Sequence, residues 1–284
     1  MLIVRQLISS VLQEMITDKN FYYCMRKLFI ALLFLFCIYN ISAQENYEIQ
    51  VYASPTMTKG STIFELHSNF TFNGEKEIVK GVRPAHHALH ETLEITHGIT
   101  YNFEIGFYLF TNYLPGYGYR IVGTHIRPRI TAPEKWKIPF GLSLSAELGT
   151  QQKEYAADTW SLELRPIIDK QWNKFYLSLN PVLGVQLKGI EKQSSPAFTP
   201  NIKASYSITP KVSLGTEYYG DLGTLNQFEK GPQQSHALFI VADLYVDPKW
   251  EINFGPGFGL TNATDGFVFK LLVGRRINWS KSKK

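Results

Sequence analysis

The chain has 284 residues, of which 44% are hydrophobic and 14% aromatic, and it carries 29 Lys and Arg residues against 24 Asp and Glu residues. This slight excess of basic charge is spread along the chain, which argues against a nucleic-acid-binding protein, because those proteins concentrate basic residues in one patch. Both cysteines, Cys24 and Cys37, lie near the N-terminus. The remainder therefore needs a means of stabilisation other than disulfides.

An apolar stretch, LFIALLFLFCIYN, follows Met25 and two cations, and small residues come soon after it. This order is typical of a secretory signal peptide, and the stretch is short for crossing a bilayer. We predict a signal peptide over residues 25–44, cut after Ala43 or Gln44, and interpret residues 1–24 as an upstream extension. A single membrane anchor is the alternative, although no run of basic residues follows to stop transfer.

The stretch FGLSLSAELG (140–149) shows the pattern that recurs through the rest of the chain. Because strand side chains alternate between two faces, Phe, Leu and Ala occupy one face, and Gly, Ser and Glu occupy the other. A soluble sheet would turn the apolar face inward. A transmembrane barrel would turn it toward lipid and keep the polar face in the lumen.

Twelve segments carry strand patterns of about ten residues, the length that a tilted strand needs to cross a bilayer. They cover residues 62–72, 88–98, 103–112, 120–131, 138–149, 159–169, 175–187, 197–208, 211–220, 236–246, 250–260 and 267–277. An even number is typical of single-chain bacterial barrels. We predict an all-β fold, an antiparallel transmembrane β-barrel of about 12 strands over residues 61–279, followed by a basic tail (280–284). The preceding segment (45–60) is expected to lie in the periplasm or to plug the lumen.

The predicted connections alternate in length. Short turns lie at residues 98–102, 132–137, 170–174, 209–211 and 247–249, and longer polar links lie at 73–87, 112–119, 150–158, 188–196 and 221–235. This alternation is typical of outer-membrane barrels, with the short turns on the periplasmic side. Trp136, Trp172 and Trp250 stand at or beside short turns, where we expect them to mark the boundary between membrane and water.

The polar parity of the predicted strands supplies the candidate pore-lining residues. They are His67, His90, Glu94, Glu104, His125, Arg127, Arg129, Glu147, Glu163, Arg165, Asp169, Lys203, Glu217 and Asp243. Charged residues in mid-strand are compatible with a membrane only if they face the lumen. We therefore expect a charge-lined constriction that selects small solutes; the alternative is a filled lumen whose charges only satisfy one another.

One feature conflicts with a closed barrel, because proline cannot donate a hydrogen bond to a neighbouring strand. The prolines inside predicted strands are Pro128, Pro166, Pro181, Pro200 and Pro256. They mark either irregularities within the strands or wrong strand boundaries.

The densest group of potential ligands, HHALHETLE (86–94), places His86, His90 and Glu94 on one strand face. It lacks the spacing of common metal sites, and the chain has no G-x-S-x-G nucleophile motif. We predict no catalytic residue, no cofactor and no metal. Glu94 and Glu104 are expected to approach each other, so that either a cation sits between them or one of them holds its proton.

The chain resembles the bacterial outer-membrane barrels grouped as transporters of the phenol meta-degradation pathway. The stretches that carry the resemblance are LHETLEITHGI (89–99), FEIGFYLF (103–110), HIRPRI (125–130), ELRPIIDKQW (163–172) and PKWEINFGPGFG (248–259). The resemblance implies a barrel that lets small molecules pass, and it supplies no catalytic residue.

Three functions follow as hypotheses. The first is an outer-membrane channel or passive transporter for small, including aromatic or apolar, molecules; its expected partners are outer-membrane lipid, the solute and the barrel assembly machinery, with no nucleic acid. The second is a structural or binding barrel with a closed lumen that acts through its long loops. The third, which we favour least, is a lipid-modifying enzyme.

Overall fold

The computed structural model describes residues 46–189 and 195–278. The predicted signal peptide, upstream extension and basic tail lie outside the described residues. Within the described part, no helix is both long enough and apolar enough to cross a membrane.

Twelve long antiparallel strands and two short ones make up nearly all of the regular structure. They are β1 (Ser61–Asn73), β2 (Leu89–Gly98), β3 (Phe103–Leu114), β4 (Gly118–Thr131), β5 (Gly141–Gln151), β6 (Asp158–Trp172), β7 (Phe175–Gly189), β8 (Ala197–Thr209), β9 (Val212–Asp221), β10 (Gly223–Thr224), β11 (Gln227–Phe228), β12 (Ser235–Leu244), β13 (Trp250–Gly259) and β14 (Phe267–Asn278). The predicted boundaries of the twelve long strands agree with these to within three residues.

The sheet closes on itself. Each long strand pairs with its sequence neighbour, β9 pairs with both β8 and β12, and the first and last strands pair from Ser61 with Asn278 to Asn73 with Phe267. The predicted twelve-stranded antiparallel barrel is therefore confirmed. Closure leaves no long unpaired edge, which satisfies the backbone without disulfides.

The apolar face of residues 140–149 points outward, as in the transmembrane alternative. In β5, Ser143, Ser145 and Glu147 are buried inside the barrel, whereas Leu148 on the opposite face is 38% exposed. Apolar side chains on the outside and polar ones within are the arrangement that a barrel adopts when its surroundings are hydrocarbon.

The two ends of the barrel differ. Short turns join β2 to β3 and β6 to β7 at what we call the short-turn end, where Trp136, Trp172 and Trp250 are exposed. At the opposite end, here the long-loop end, residues 74–88 join β1 to β2. The connection from β9 to β12 lies there too, and it contains the β10–β11 hairpin, which pairs with β8 through Thr224 and Ala197.

The strand boundaries hold despite the prolines. Pairing between β4 and β5 is interrupted between Ile126 and Arg129, which brackets Pro128, and the β6–β7 and β12–β13 ladders are interrupted in the same way beside Pro166 and Pro256. The missing N–H of Pro128, Pro166 and Pro256 thus coincides with a gap in a ladder, and Pro181 lies in the β6–β7 gap too. Pro200 instead pairs with Pro181 and precedes the start of the β8–β9 ladder. The prolines mark irregularities within the strands, which was the first of the two alternatives.

Candidate functional site

The first ionic cluster on the inner wall centres on Arg127 of β4. Its guanidinium contacts Glu94 Oε1 of β2 at 2.5 Å and Glu104 Oε1 of β3 at 3.2 Å. Arg129 Nε adds a second contact to Glu104 at 2.7 Å, and His67 Nε2 of β1 lies 3.5 Å from Glu94. The cation expected between Glu94 and Glu104 is therefore Arg127, placed there because alternate residues of adjacent strands point to the same side.

A second cluster lies across the lumen. Lys203 Nζ of β8 contacts Asp243 of β12 at 2.7 Å and Glu217 of β9 at 3.1 Å, and Lys270 of β14 also binds Glu217. Asn253 Nδ2 donates to Asp243 at 2.8 Å. Each carboxylate in this cluster has a cationic partner, so the cluster joins five strands without leaving either carboxylate unpaired.

A third group joins β4, β5 and β6. His125 Nδ1 lies 2.5 Å from Glu147 Oε1, and Arg165 contacts Glu163 of its own strand at 2.7 Å. Glu147 and Glu163 are cross-strand neighbours, so the adjacent imidazole and guanidinium offset the proximity of two like charges.

Thirteen of the fourteen candidate pore-lining residues have side chains buried inside the barrel, and Glu163 is partly buried. His90 lies beside Tyr47, with ring centroids 4.9 Å apart, and Asp169 accepts hydrogen bonds from Ser54. Most of the set is thus gathered into the three clusters. Its role in lining an open pore stays a prediction.

Residues 46–58, which we call the lumen segment, run through the barrel from one end to the other. Asn46 contacts Asp265 in the β13–β14 connection at the long-loop end. Ser54 Oγ donates to Asp169 at 2.6 Å, and the Met57 N–H donates to Glu104 at 2.6 Å toward the short-turn end. The chain then turns at Gly60, whose φ is +76°, and enters β1 in the opposite direction.

Side chains of the barrel wall form hydrogen bonds with the backbone of the lumen segment. In a sheet, a neighbouring strand would form these bonds. The carbonyl of Tyr52 accepts from Ser178 Oγ at 2.7 Å and from Asn180 Nδ2 at 3.1 Å, and its N–H donates to Asn180 Oδ1 at 2.8 Å. Other carbonyls accept as follows: Tyr47 from Thr92, Ile49 from Lys270, and both Ala53 and Pro55 from Arg129. Buried backbone groups require such partners, and the inner wall provides them.

Tyr52 lies at the centre of the lumen. The guanidinium carbons of Arg127 and Arg165 lie 4.8 Å from its ring centroid, and that of Arg129 lies 5.5 Å away. Its hydroxyl hydrogen-bonds Glu48 and lies 3.0 Å from the hydroxyl of Tyr108. Three cations around one ring form a favourable arrangement, because each faces the electron-rich π-system.

Two apolar clusters inside the barrel were missed by the parity argument. Ile49 and Val51 of the lumen segment pack with Tyr219, Phe239, Val241 and other wall residues. Tyr47 packs with Tyr108, Phe110 and Val122. Strand β3 is apolar on both faces through residues 107–110, and that double-sided pattern was the available signal that something apolar lies within the lumen.

Cavities flank the lumen segment toward both ends of the barrel. A cavity of about 560 Å³, the long-loop cavity, is bounded by Asn46, Tyr47 and Ile49 of the segment together with the long loops. A cavity of about 710 Å³, the short-turn cavity, is bounded by residues 50–55 in part and by the short turns. The two cavities share no lining residue, so the segment and its wall contacts separate them.

Two carboxyl groups in the loops around the long-loop cavity differ in environment. Glu75 accepts hydrogen bonds from the N–H groups of Lys76 and Glu77, which lower the pKa of its carboxyl. Burial raises the pKa of Asp265, whose carboxylate bonds Asn46 and the Glu75 N–H. Across the described residues, no group of three or more His, Cys, Asp or Glu side chains is placed to hold a metal ion.

Comparison with solved structures finds outer-membrane β-barrels. The chain is similar to the KdgM porin (TM-score 0.50, 10% identity, covering 75% of this chain and 98% of that one) and to the NanC porin (0.49, 7%, 74% and 97%). It is also similar to a mutant of the TodX monoaromatic hydrocarbon channel (0.41, 8%, 78% and 91%). At such low identities the likeness concerns the fold alone, which is that of an outer-membrane β-barrel.

No protein-family profile and no curated protein matches the chain. The resemblance to transporters of the phenol meta-degradation pathway is therefore not confirmed.

Proposed function

We propose that the protein is an outer-membrane channel for small molecules whose lumen is closed by the lumen segment. The main observation behind this proposal is how side chains of the barrel wall hold the lumen segment. It crosses the barrel as an extended chain, bonded to wall side chains and not as a member of the sheet. A cavity adjoins it toward each end of the barrel.

The hydrogen bonds between the segment and the wall are of a kind that water can replace, whereas the apolar contacts of Ile49 and Val51 oppose withdrawal. A hydrogen bond inside a protein contributes only about 0.5–1.5 kcal/mol net, because the same groups bond water when they separate. The sheet itself closes through β1 and β14 without any contribution from the segment. Withdrawal of the segment therefore leaves the barrel intact and exposes the charged clusters of the inner wall to solvent.

The outer surface supports placement in the outer membrane. Exposed apolar residues such as Phe107, Leu109 and Ile240 cover the outside of the strands, and tryptophans cluster at the short-turn end. Lipid is the surrounding that suits this surface. Export by a signal peptide and insertion by the barrel assembly machinery are part of the same proposal, and they depend on residues outside the described part of the chain.

Planar-bilayer recording of the refolded mature protein tests the proposal. We expect the intact protein to be closed for most of the time and a variant without residues 46–58 to conduct steadily. A deletion of similar kind in the first long loop, residues 76–83, serves as the matched control and should stay closed. Folding of each variant is verified by its heat-modifiable gel mobility.

A folded deletion variant that does not conduct would overturn the channel proposal. That result would favour the second candidate, a binding barrel with a permanently closed lumen. The same occupied lumen supports this candidate, since the segment buries Tyr47, Ile49 and Val51 against wall side chains as in a packed core. In that case deletion of residues 76–83 should abolish binding by the barrel, whereas deletion of the lumen segment should not.

A further inference from the structure

We infer that the long-loop cavity binds organic cations, namely a protonated amine carried on an apolar body. The inference deepens the proposed function by naming a class of solute, and it rests on that function only for what happens after binding. Binding itself requires no conduction.

Charge around the cavity is the first observation. Its lining includes five carboxylate side chains, among them Asp221 and Glu229, against two cationic ones, Lys80 and Arg83. The positive charge of Arg83 is already paired. Its guanidinium nitrogen lies 2.7 Å from a Glu154 carboxylate oxygen, and its Cζ lies 4.4 Å from the ring centroid of Tyr117. An excess of negative charge in a concave site concentrates cations there.

The floor of the cavity supplies aromatic faces. Tyr47 and Phe239 lie where the lumen segment meets the wall, and Phe258 lines the side. The Phe239 ring already faces one cation, since Lys270 Nζ lies 5.8 Å from its centroid. Carboxylates combined with aromatic rings are the usual means by which proteins recognise substituted ammonium groups. The apolar rings also suit the hydrocarbon part of such a ligand.

Polar side chains without partners give the third, independent observation. Asn112 Oδ1, Gln186 Oε1 and His90 Nδ1 are buried, line the cavity and have no hydrogen-bond partner among residues 46–189 and 195–278. Buried polar atoms are normally satisfied, so three in one cavity indicate a ligand that completes them. Amide oxygens and a neutral imidazole nitrogen accept hydrogen bonds, which an alkylammonium ligand donates.

The short-turn cavity differs mainly in charge, since aromatic side chains line it too, as do Asp243 Oδ2 and Asn253 Oδ1, which have no hydrogen-bond partner within the described residues. Its lining has four carboxylates and three cations, and Lys203 there is paired with both Glu217 and Asp243. The negative excess is thus three charges at the long-loop cavity and one at the short-turn cavity. A volume of about 560 Å³ also falls in the range of about 300–1,000 Å³ that small-molecule sites occupy.

Isothermal titration calorimetry on the intact mature protein in non-ionic detergent tests the inference. The probe is benzylammonium, and benzenesulfonate is its anionic counterpart. We expect saturable binding of one cation per chain and no binding of the anion. Glu229→Gln should weaken binding about threefold to tenfold, and Phe239→Leu about fivefold, which corresponds to roughly 1 kcal/mol for one cation–π contact.

The matched control is Glu134→Gln, which removes an exposed carboxylate at the short-turn end. This variant should bind like the unchanged protein. Equal binding of the two probes, absence of saturable binding, or an equal loss in Glu134→Gln would each overturn the inference. Because Glu229 is exposed on a loop, its variant remains informative even if Phe239→Leu does not fold. Calorimetry detects binding whether or not the barrel conducts, so failure of the site and failure of the channel are distinguishable.

Discussion

Arg127 shows how one residue of the inner wall links several strands. It binds Glu94 and Glu104, donates to Tyr108 and stacks on Tyr52, while its side chain is only 2% exposed. A buried cation with this many partners is costly to remove, because the carboxylates around it lose their compensation.

We expect Arg127→Met to destabilise the barrel by about 3–5 kcal/mol, the usual cost of breaking a buried ion pair from one side. Urea unfolding in lipid vesicles, followed by gel mobility, measures the loss. Arg120→Met on the same strand is the control, since Arg120 is exposed and bonds only the Tyr119 carbonyl among the contacts described. It should change stability by no more than about 0.5 kcal/mol. Equal losses in the two variants would contradict a specific role for the cluster.

At the residue scale, the sequence predicted the charged wall and indicated plugging of the lumen by residues 45–60 as one of two alternatives. It did not identify the side chains that meet the wall. Glu94, Arg127 and Asp243 were identifiable because a charge in mid-strand must avoid lipid. Tyr52 was not identifiable, since a single tyrosine ahead of the first strand carries no periodic signal. Phe239 was also missed, because an apolar side chain at an inward position looks the same in sequence as one that faces lipid.

The lumen segment is the element whose behaviour decides the function. A Cβ added at Gly141 would lie 3.0 Å from the Cβ of Ser54. Disulfides need about 3.5–4.5 Å between these atoms, so they must move apart by about 0.5 Å. The Asp169 carboxylate must also move aside, because its Oδ1 would overlap with the added Cβ. The mature chain predicted here contains no native cysteine that could compete.

We expect the double variant Ser54→Cys/Gly141→Cys to form a disulfide on oxidation and to lose all channel openings. Reduction should restore them, because the bond fixes the segment in the lumen. Thiol titration of the denatured protein measures the bond, and bilayer recording measures the openings. Each single-cysteine variant is a control for the substitution alone. A cross-linked protein that still opens would show that solute does not pass through the space occupied by the segment.

At the scale of elements, strand prediction succeeded because each long strand has two chemically different faces. The β10–β11 hairpin was missed, since two-residue strands are too short to show alternation. Its position depends on the contact of Thr224 with Ala197 of β8, which is distant in sequence. The prolines could be interpreted only from the observed strand pairing, which assigns each gap in hydrogen bonding to a pair of strands.

The two ends of the barrel can be assigned to the two sides of the membrane, because Asn46, where the lumen segment begins, lies at the long-loop end. We therefore expect Asn46→Cys to react with a membrane-impermeant maleimide on intact cells. Glu134→Cys, at the short-turn end, should react only after the outer membrane is permeabilised. Whole-cell labelling followed by gel shift measures both reactions. The reverse pattern would mean that the barrel is inserted the other way round.

Closure of the barrel through β1 and β14 joins the first strand of the chain to the last. The ring is therefore completed only after residues 267–278 have been synthesised, and the lumen segment forms a thread through a ring of its own chain. Since Gly60 ties the thread to β1 at the short-turn end, it can leave only lengthwise in that direction. The arrangement is that of a lasso, in which the thread is tethered to its own ring and can slip out at one end. A folded domain fused ahead of the thread would act as a stopper and keep it in place.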